Sequence, residues 1–206
     1  MIKVILLDIG GVLVELTGAK RLSQLVEGNL SLDELEKRWA SSKYINLYES
    51  GQCSTEEFAD GFVKEFNMSI TPEDFVKEFP SYVKGFFSGA TGLLRDLRPN
   101  HTLACLSNTN IVQWNSLRER LSIDDYFQHV FLSYEIGKMK PEPDVYAYVI
   151  DKLGCRPNEI AFFDDYEANV KAGIAAGMVA YRVVGFEDLR DKLKVLGLLK
   201  DGKNGG

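Results

Sequence analysis

Cysteine is scarce in this chain of 206 residues: Cys53, Cys105 and Cys155 stand isolated, odd in number and without any CxxC spacing. That pattern offers no disulfide framework, disfavours a thiolate metal site, and reads as three packed thiols in a reducing cytosol. Basic residues are outnumbered as well, with 24 Lys and Arg against 30 Asp and Glu and a formal charge of −6. Without a basic footprint, nucleic acid is not an expected partner. A small phosphorylated molecule stays open, provided local cations bind it. No apolar run reaches eighteen residues, and Met1 leads straight into a strand pattern with no basic n-region, so neither a membrane span nor a signal peptide is expected. Internal repeats and low-complexity segments are missing too. The expected protein is soluble, cytoplasmic, and a monomer or homodimer.

What is present is ordinary for a globular chain, 45% hydrophobic and 26% charged, enough for one core domain with a modest insertion. Two short apolar runs, 2–7 and 160–163, are rich in branched and aromatic residues and stop at acids, Asp8 and the pair Asp164-Asp165. Such runs read as buried strands rather than helices. From Ala90 onward, helical and strand patterns alternate: helix 93–97, strand 102–106, helix 112–121, strand 130–133, helix 145–153, strand 160–163, helix 167–176 ending at Gly177, strand 179–183. Alternation of this kind predicts an α/β fold, a doubly wound parallel sheet with helices on both faces.

Between Val14 and about Ser88 the pattern stays helical, with no strand signal. Ser31 with Glu34 spells a capping box ahead of Leu35 and Trp39; Ser54 with Glu57 repeats it ahead of Phe58, Phe62 and Phe66. Thr71-Pro72 places an N-cap and an N1 proline before Phe75 and Phe79. The expected division is a core of 1–15 and 88–200, an inserted helical unit of 16–87, and a flexible tail at 201–206.

Each core strand is followed by polar residues. Asp8 follows the first, Ser107-Asn108-Thr109 the second, Lys138-Met139-Lys140-Pro141 comes soon after the third, and Asp164-Asp165 closes the fourth. Strand ends in a doubly wound sheet face one crevice, so these groups should meet there. Crowded acids repel and are costly to desolvate unless a cation sits among them, which points to a Mg²⁺ site. A carboxylate to attack, cations to neutralise oxygens, and hydroxyl and amide donors to hold them make the inventory of phosphoryl transfer. Individually each residue has a plain structural reading, a turn acid or a helix start; it is the combination that points to chemistry. His101 and His129 stand at strand starts, away from the crevice, and the insert's aromatics at helical spacing read as its core.

The ordered set Asp8-x-Gly10-Gly11, Ser107-Asn108-Thr109, Lys140-Pro141 and Asp164-Asp165-x-x-x-Asn169 resembles the four motifs of the haloacid dehalogenase-like hydrolase superfamily, with the helical insert where that family carries its small α-helical cap. Within it, the sequence looks similar to the branch of bacterial α-glucose-1-phosphate phosphatase. The resemblance implies a Rossmann-like core and a Mg²⁺-dependent phosphatase of a small phosphorylated metabolite, a sugar phosphate among the options. It assigns Asp8 as the nucleophile that becomes an aspartyl-phosphate, and Ser107, the Asn108 amide, Gly11 and Lys140 as phosphate binders. Asp8, the Gly10 carbonyl and Asp165, with Asp164 near it, would hold the metal, and Asn169 would orient that pair or Lys140.

Gly10 departs from the pattern. Phosphatases of the family usually carry a second Asp there, which protonates the leaving oxygen and then activates water. Losing such help costs about 10²–10⁴ in rate. Three outcomes stay open: a weakened enzyme, another proton donor, or a leaving group such as a sugar hemiacetal oxygen that needs little protonation. Glu15 and Asp164 are the nearby acids, Glu15 equally reading as a solvated residue. A metal-independent 2-haloacid dehalogenase and a catalytically impaired phosphate-binding protein are the alternatives; the paired acids count against the former.

Overall fold

The computed structural model describes residues 1–28 and 30–199. The expected flexible tail at 201–206 lies outside them. In chain order the elements are β1 (Val4–Leu7), β2 (Val14–Leu16), helices α1 (Gly18–Leu25), α2 (Leu32–Ser41), α3 (Lys43–Glu49), α4 (Thr55–Glu65) and α5 (Pro72–Glu78), then β3 (Val83–Phe86), α6 (Ala90–Leu97), β4 (Thr102–Ser107), α7 (Ile111–Leu121), β5 (His129–Leu132), the short α8 (Ser133–Ile136), α9 (Pro143–Leu153), β6 (Ile160–Asp164), α10 (Glu167–Ala175), β7 (Val179–Arg182) and α11 (Gly185–Val195).

Five strands pair in parallel in the order β5-β4-β1-β6-β7. All four residues of β1 are buried, as a strand covered on both faces requires. Ile5 and Leu7 pack with α6, α7 and α11 through Leu94, Trp114 and Leu189. Val4 and Leu6 point the other way, onto Val145, Tyr146 and Val149 of α9. The sheet is doubly wound, and its strand order reverses between β1 and β6. That switch point is where open α/β sheets hold their ligands.

The insert forms as its caps predict. Ser31 and Ser54 each accept from the amide three residues on, with Glu34 and Glu57 returning the bond to the cap amide, and Thr71 caps α5 ahead of Pro72. Phe58, Phe62, Phe66, Phe75, Phe79 and Tyr82 bury one another in a core separate from those of the sheet. The uninterrupted helical reading of this stretch is corrected at its two ends. β2 and β3 pair antiparallel, Val14 opposite Phe86, and join the insert to the sheet domain. These strands are too short for alternation to show, and Gly85 sits inside one. A further correction is α11, beyond the last predicted strand, whose Phe186, Leu189 and Leu193 line one helical face.

Candidate active site

The register that pairs Leu7 with Cys105 and Phe163 brings Asp8 out level with the C-terminal ends of β4 and β6. Its amide donates to the Phe163 carbonyl (2.9 Å), so sheet geometry persists to the point where the side chain leaves. Lys140, from the loop before α9, reaches over this edge. Its ammonium lies 2.8 Å from Asp8 Oδ1 and 2.6 Å from Asp164 Oδ2, all three side chains being largely buried.

Asp164 is held on both oxygens. Oδ1 accepts from the Tyr166 amide (2.8 Å) and Asn169 Nδ2 (2.9 Å), while Oδ2 accepts from Lys140 and, at 3.1 Å, from the same Asn169 amide. Asn169 is itself tied down by the Tyr146 hydroxyl, which donates to its carbonyl (2.9 Å). Asn169 therefore orients Asp164, and through it Lys140.

Asp165 lies against the backbone of Gly11. A Cβ built on Gly11 would overlap Asp165 Oδ2 and sit 3.2 Å from its Cγ, and the residue has a φ of +71°, so only glycine serves here. The Gly11 amide, expected to bind phosphate, donates to the Val14 carbonyl (2.9 Å). Ser107 closes β4. Among the described residues neither its hydroxyl nor the Asn108 amide has a hydrogen-bond partner, and both residues line the cavity above Asp8. The Asn108 side chain clasps the Lys140 backbone at both ends, Nδ2 to its carbonyl (2.8 Å) and Oδ1 from its amide (2.9 Å). Thr109 exchanges two bonds with Ser133, locking the loop after β4 to the end of β5.

The electrostatics follow from crowding. Burial pushes the Asp8 carboxyl up to about 7; Lys140 opposes that rise, and Asp164 and Asp165 add to it. Asp165 is raised by burial and by Asp164. Burial draws Lys140 down, but Asp8 and Asp164 beside it outweigh burial and hold it above the ordinary lysine value. One oxygen each from Asp8, Asp164 and Asp165 comes within 4.8 Å of the others. Three carboxylates against one ammonium leave a double negative charge, and hard oxygen donors of that charge fit Mg²⁺.

A cavity of about 1260 Å³ lies over these groups, walled on the insert side by Leu22, Leu35, Trp39, Lys43, Glu49 and Tyr82 among others. Glu49 was not anticipated. It closes the short α3, is only 8% exposed, and burial pushes its carboxyl up to about 7, with Lys140 opposing and Asp8 adding. Nothing in the local sequence marks it, because its helix carries no cap-and-spacing signature of the α2 or α4 kind. Glu15 points elsewhere, pairing with Lys84 in solvent (2.9 Å), and Lys138 pairs with Asp144 at the rim (2.6 Å). His101 and His129 stand at the opposite strand ends, as expected.

Asp8, Lys140, Asp164 and Asp165 thus meet at the switch point of a parallel sheet that carries a helical insert. A family model described as haloacid dehalogenase-like hydrolase matches residues 2–177, and the chain belongs to that family. D-ribitol-5-phosphate phosphatase of Bacteroides thetaiotaomicron is 25% identical over 203 residues, covering 95% of this chain and 98% of its own. A phosphatase of Mycobacterium tuberculosis is 27% identical over 84% of each chain. The crystal structure of a family enzyme from Bacteroides thetaiotaomicron in complex with magnesium superposes with a TM-score of 0.78 at 26% identity, covering 94% of this chain and 98% of that one. Among the described residues, no helix is long and apolar enough to cross a membrane.

Proposed function

We propose that the chain is a Mg²⁺-dependent phosphatase of a small phosphorylated metabolite, working through an aspartyl-phosphate on Asp8. The observation that carries this reading is the meeting of Asp8, Lys140, Asp164 and Asp165 at one sheet edge beside the unengaged Ser107 hydroxyl and Asn108 amide. Asp8, Asp165 and the Gly10 carbonyl are the proposed metal ligands, with Asp164 adjoining; when bound, the ion supplies charge neutralisation for phosphate and carboxylate oxygens. Asp8 Oδ attacks phosphorus, Lys140 keeps that oxygen anionic and correctly aimed, and Ser107 and the Asn108 amide hold the non-reacting phosphate oxygens. Residues 16–87 act as a cap over a core of 1–15 and 88–200, closing on the substrate and selecting it by shape.

For the substrate we favour a sugar or polyol phosphate, supported by the ribitol-5-phosphate phosphatase likeness. The resemblance to the glucose-1-phosphate branch keeps sugar 1-phosphates among the candidates. Release of inorganic phosphate from a panel of both classes, with Mg²⁺ and with EDTA, tests the reading. Metal-dependent release that vanishes in Asp8→Asn supports it; Asp8→Asn with full metal-dependent turnover refutes it.

A further inference from the structure

Among the residues lining the cavity, Glu49 is the one acid contributed by the insert. It is more than nine-tenths buried, and its carboxylate has neither a hydrogen bond nor an ion pair with any described residue. A buried carboxyl left unpaired is costly unless a proton or a ligand completes it. Its position matters because of the in-line geometry of phosphoryl transfer. Asp8 approaches phosphorus from the sheet, so the leaving oxygen departs on the opposite side, toward the insert.

Among the described residues, the core acids around the cavity are engaged or turned to solvent: Asp144 pairs with Lys138 at the rim, and Glu142 is exposed ahead of α9. Gly10 has no side chain. Asp164 accepts two bonds on each oxygen, Asp165 is laid against Gly11, and Glu15 is paired with Lys84 in solvent. We propose that Glu49 is the proton donor to the leaving oxygen and the base for the attacking water, the part left unfilled at position 10. This rests on the phosphatase reading above.

In the first half-reaction the bond from Asp8 Oδ to phosphorus forms, the bond from phosphorus to the substrate oxygen breaks, and the Glu49 carboxyl gives its proton to that oxygen. The alcohol leaves. In the second, the Glu49 carboxylate takes a proton from water as the water oxygen bonds to phosphorus. The phosphorus–Asp8 bond breaks, releasing inorganic phosphate and the free Asp8 carboxylate. Both protons are accounted for, and Glu49 ends protonated as it began.

The test compares wild type, Glu49→Gln and Glu49→Gln/Gly10→Asp on two substrates, ribitol 5-phosphate and p-nitrophenyl phosphate, with Mg²⁺. Nitrophenolate needs no protonation to leave, whereas a polyol oxygen does. Glu49→Gln should lower kcat on ribitol 5-phosphate by roughly 10²–10⁴-fold. On p-nitrophenyl phosphate it should release a burst of one nitrophenolate per site and then stall as phospho-Asp8 accumulates. Gly10→Asp should restore part of the loss, because a Cβ at Gly10 meets only the tip of the Leu16 side chain, at 3.0 Å. A merely structural role would slow both substrates alike without a burst. Equal losses with no burst, or wild-type kcat on ribitol 5-phosphate in Glu49→Gln, overturns the proposal. Folding of each variant is read from its Mg²⁺-induced melting shift, with Glu49→Asp as a second variant expected to keep a fraction of turnover. Wild-type protein that turns over neither substrate refutes the phosphatase reading itself, and is told apart because no variant is then needed to show it.

Discussion

Adjacent glycines at positions 10 and 11 should respond unequally to alanine. At Gly11 a methyl group collides with the Asp165 carboxylate, and the φ of +71° is a left-handed conformation. That conformation alone costs a residue with a Cβ about 1–2 kcal/mol. For a chain of this size, that lowers the melting temperature by roughly 2–8 °C. The larger effect falls on the metal. Asp165, a proposed metal ligand, must move to admit the methyl, and since loss of even a ligand's outer partner typically weakens affinity by about 10–100-fold, at least that loss is expected here. Gly10→Ala, whose Cβ meets only the end of the flexible Leu16 side chain, retains its carbonyl and should lose far less on both counts. The assay is thermal melting with and without Mg²⁺, followed by Mg²⁺ titration of phosphate release. A Gly11→Ala protein with wild-type melting and an unchanged Mg²⁺ midpoint would refute the claim that this glycine makes room for Asp165.

The metal-free protein should lose stability as pH rises from about 4 to 7. Burial raises both Asp8 and Glu49 to about 7 in the fold, above their unfolded values, so the native state binds more protons than the unfolded chain and unfolding becomes easier as they ionise. Mg²⁺ should flatten this trend in pH-dependent melting; a melting temperature that climbs across the window without metal would contradict the assignment. Asn169→Ala removes both amide bonds to Asp164 and should cost roughly 1.5–3 kcal/mol in urea unfolding, with a lower kcat. No change in either would show that Asn169 does not hold the acid. Phe62→Ala, at the centre of the insert's aromatic core, should cost about 3–5 kcal/mol and raise KM while sparing the Mg²⁺ midpoint. A shifted Mg²⁺ midpoint would show that the insert and the metal site are not separable in this way.

The sheet was legible because buried parallel strands are largely apolar runs, and the site because acids and hydroxyl or amide residues follow those runs at their C-terminal ends. Asp8, Ser107 and Asp164 lie far apart in sequence, yet each stands at or just beyond a strand terminus, and parallel topology gathers such termini, while Lys140 reaches over them from the loop before α9. The caps of α2, α4 and α5 were legible for a local reason, since Ser or Thr satisfies an amide three residues on. β2 and β3 were not, since a pair this short, with a register irregularity between Glu15 and Leu16, has no periodicity to read. Glu49 was hidden for a different reason. Its meaning comes from the cavity it lines, and only the folding of the insert over the sheet brings it to the cavity that Asp8 also lines.

That division of parts bears on how the chemistry is controlled. The insert has its own aromatic core, with rings stacked as closely as Phe62 on Phe66 at 4.2 Å, and is joined to the sheet domain through β2 and β3. On β3 the connection is gripped by Arg120 of α7, which donates to the carbonyls of Val83 (2.6 Å) and Lys84 (2.9 Å). The insert also meets the sheet domain elsewhere, with Val112 of α7 packed on its aromatic core and Gly51 lying against the Tyr134 carbonyl. Asp8 and Lys140 belong to the sheet domain, whereas among the described residues Glu49 is the one acid that the insert brings to the cavity. On the roles proposed for Asp8 and Glu49, attack and protonation would meet only with the insert over the sheet, and substrate fit would govern kcat as well as KM. A phosphatase with both groups on the sheet would lack that dependence, so on this proposal position 10 would bear on selectivity as well as on rate.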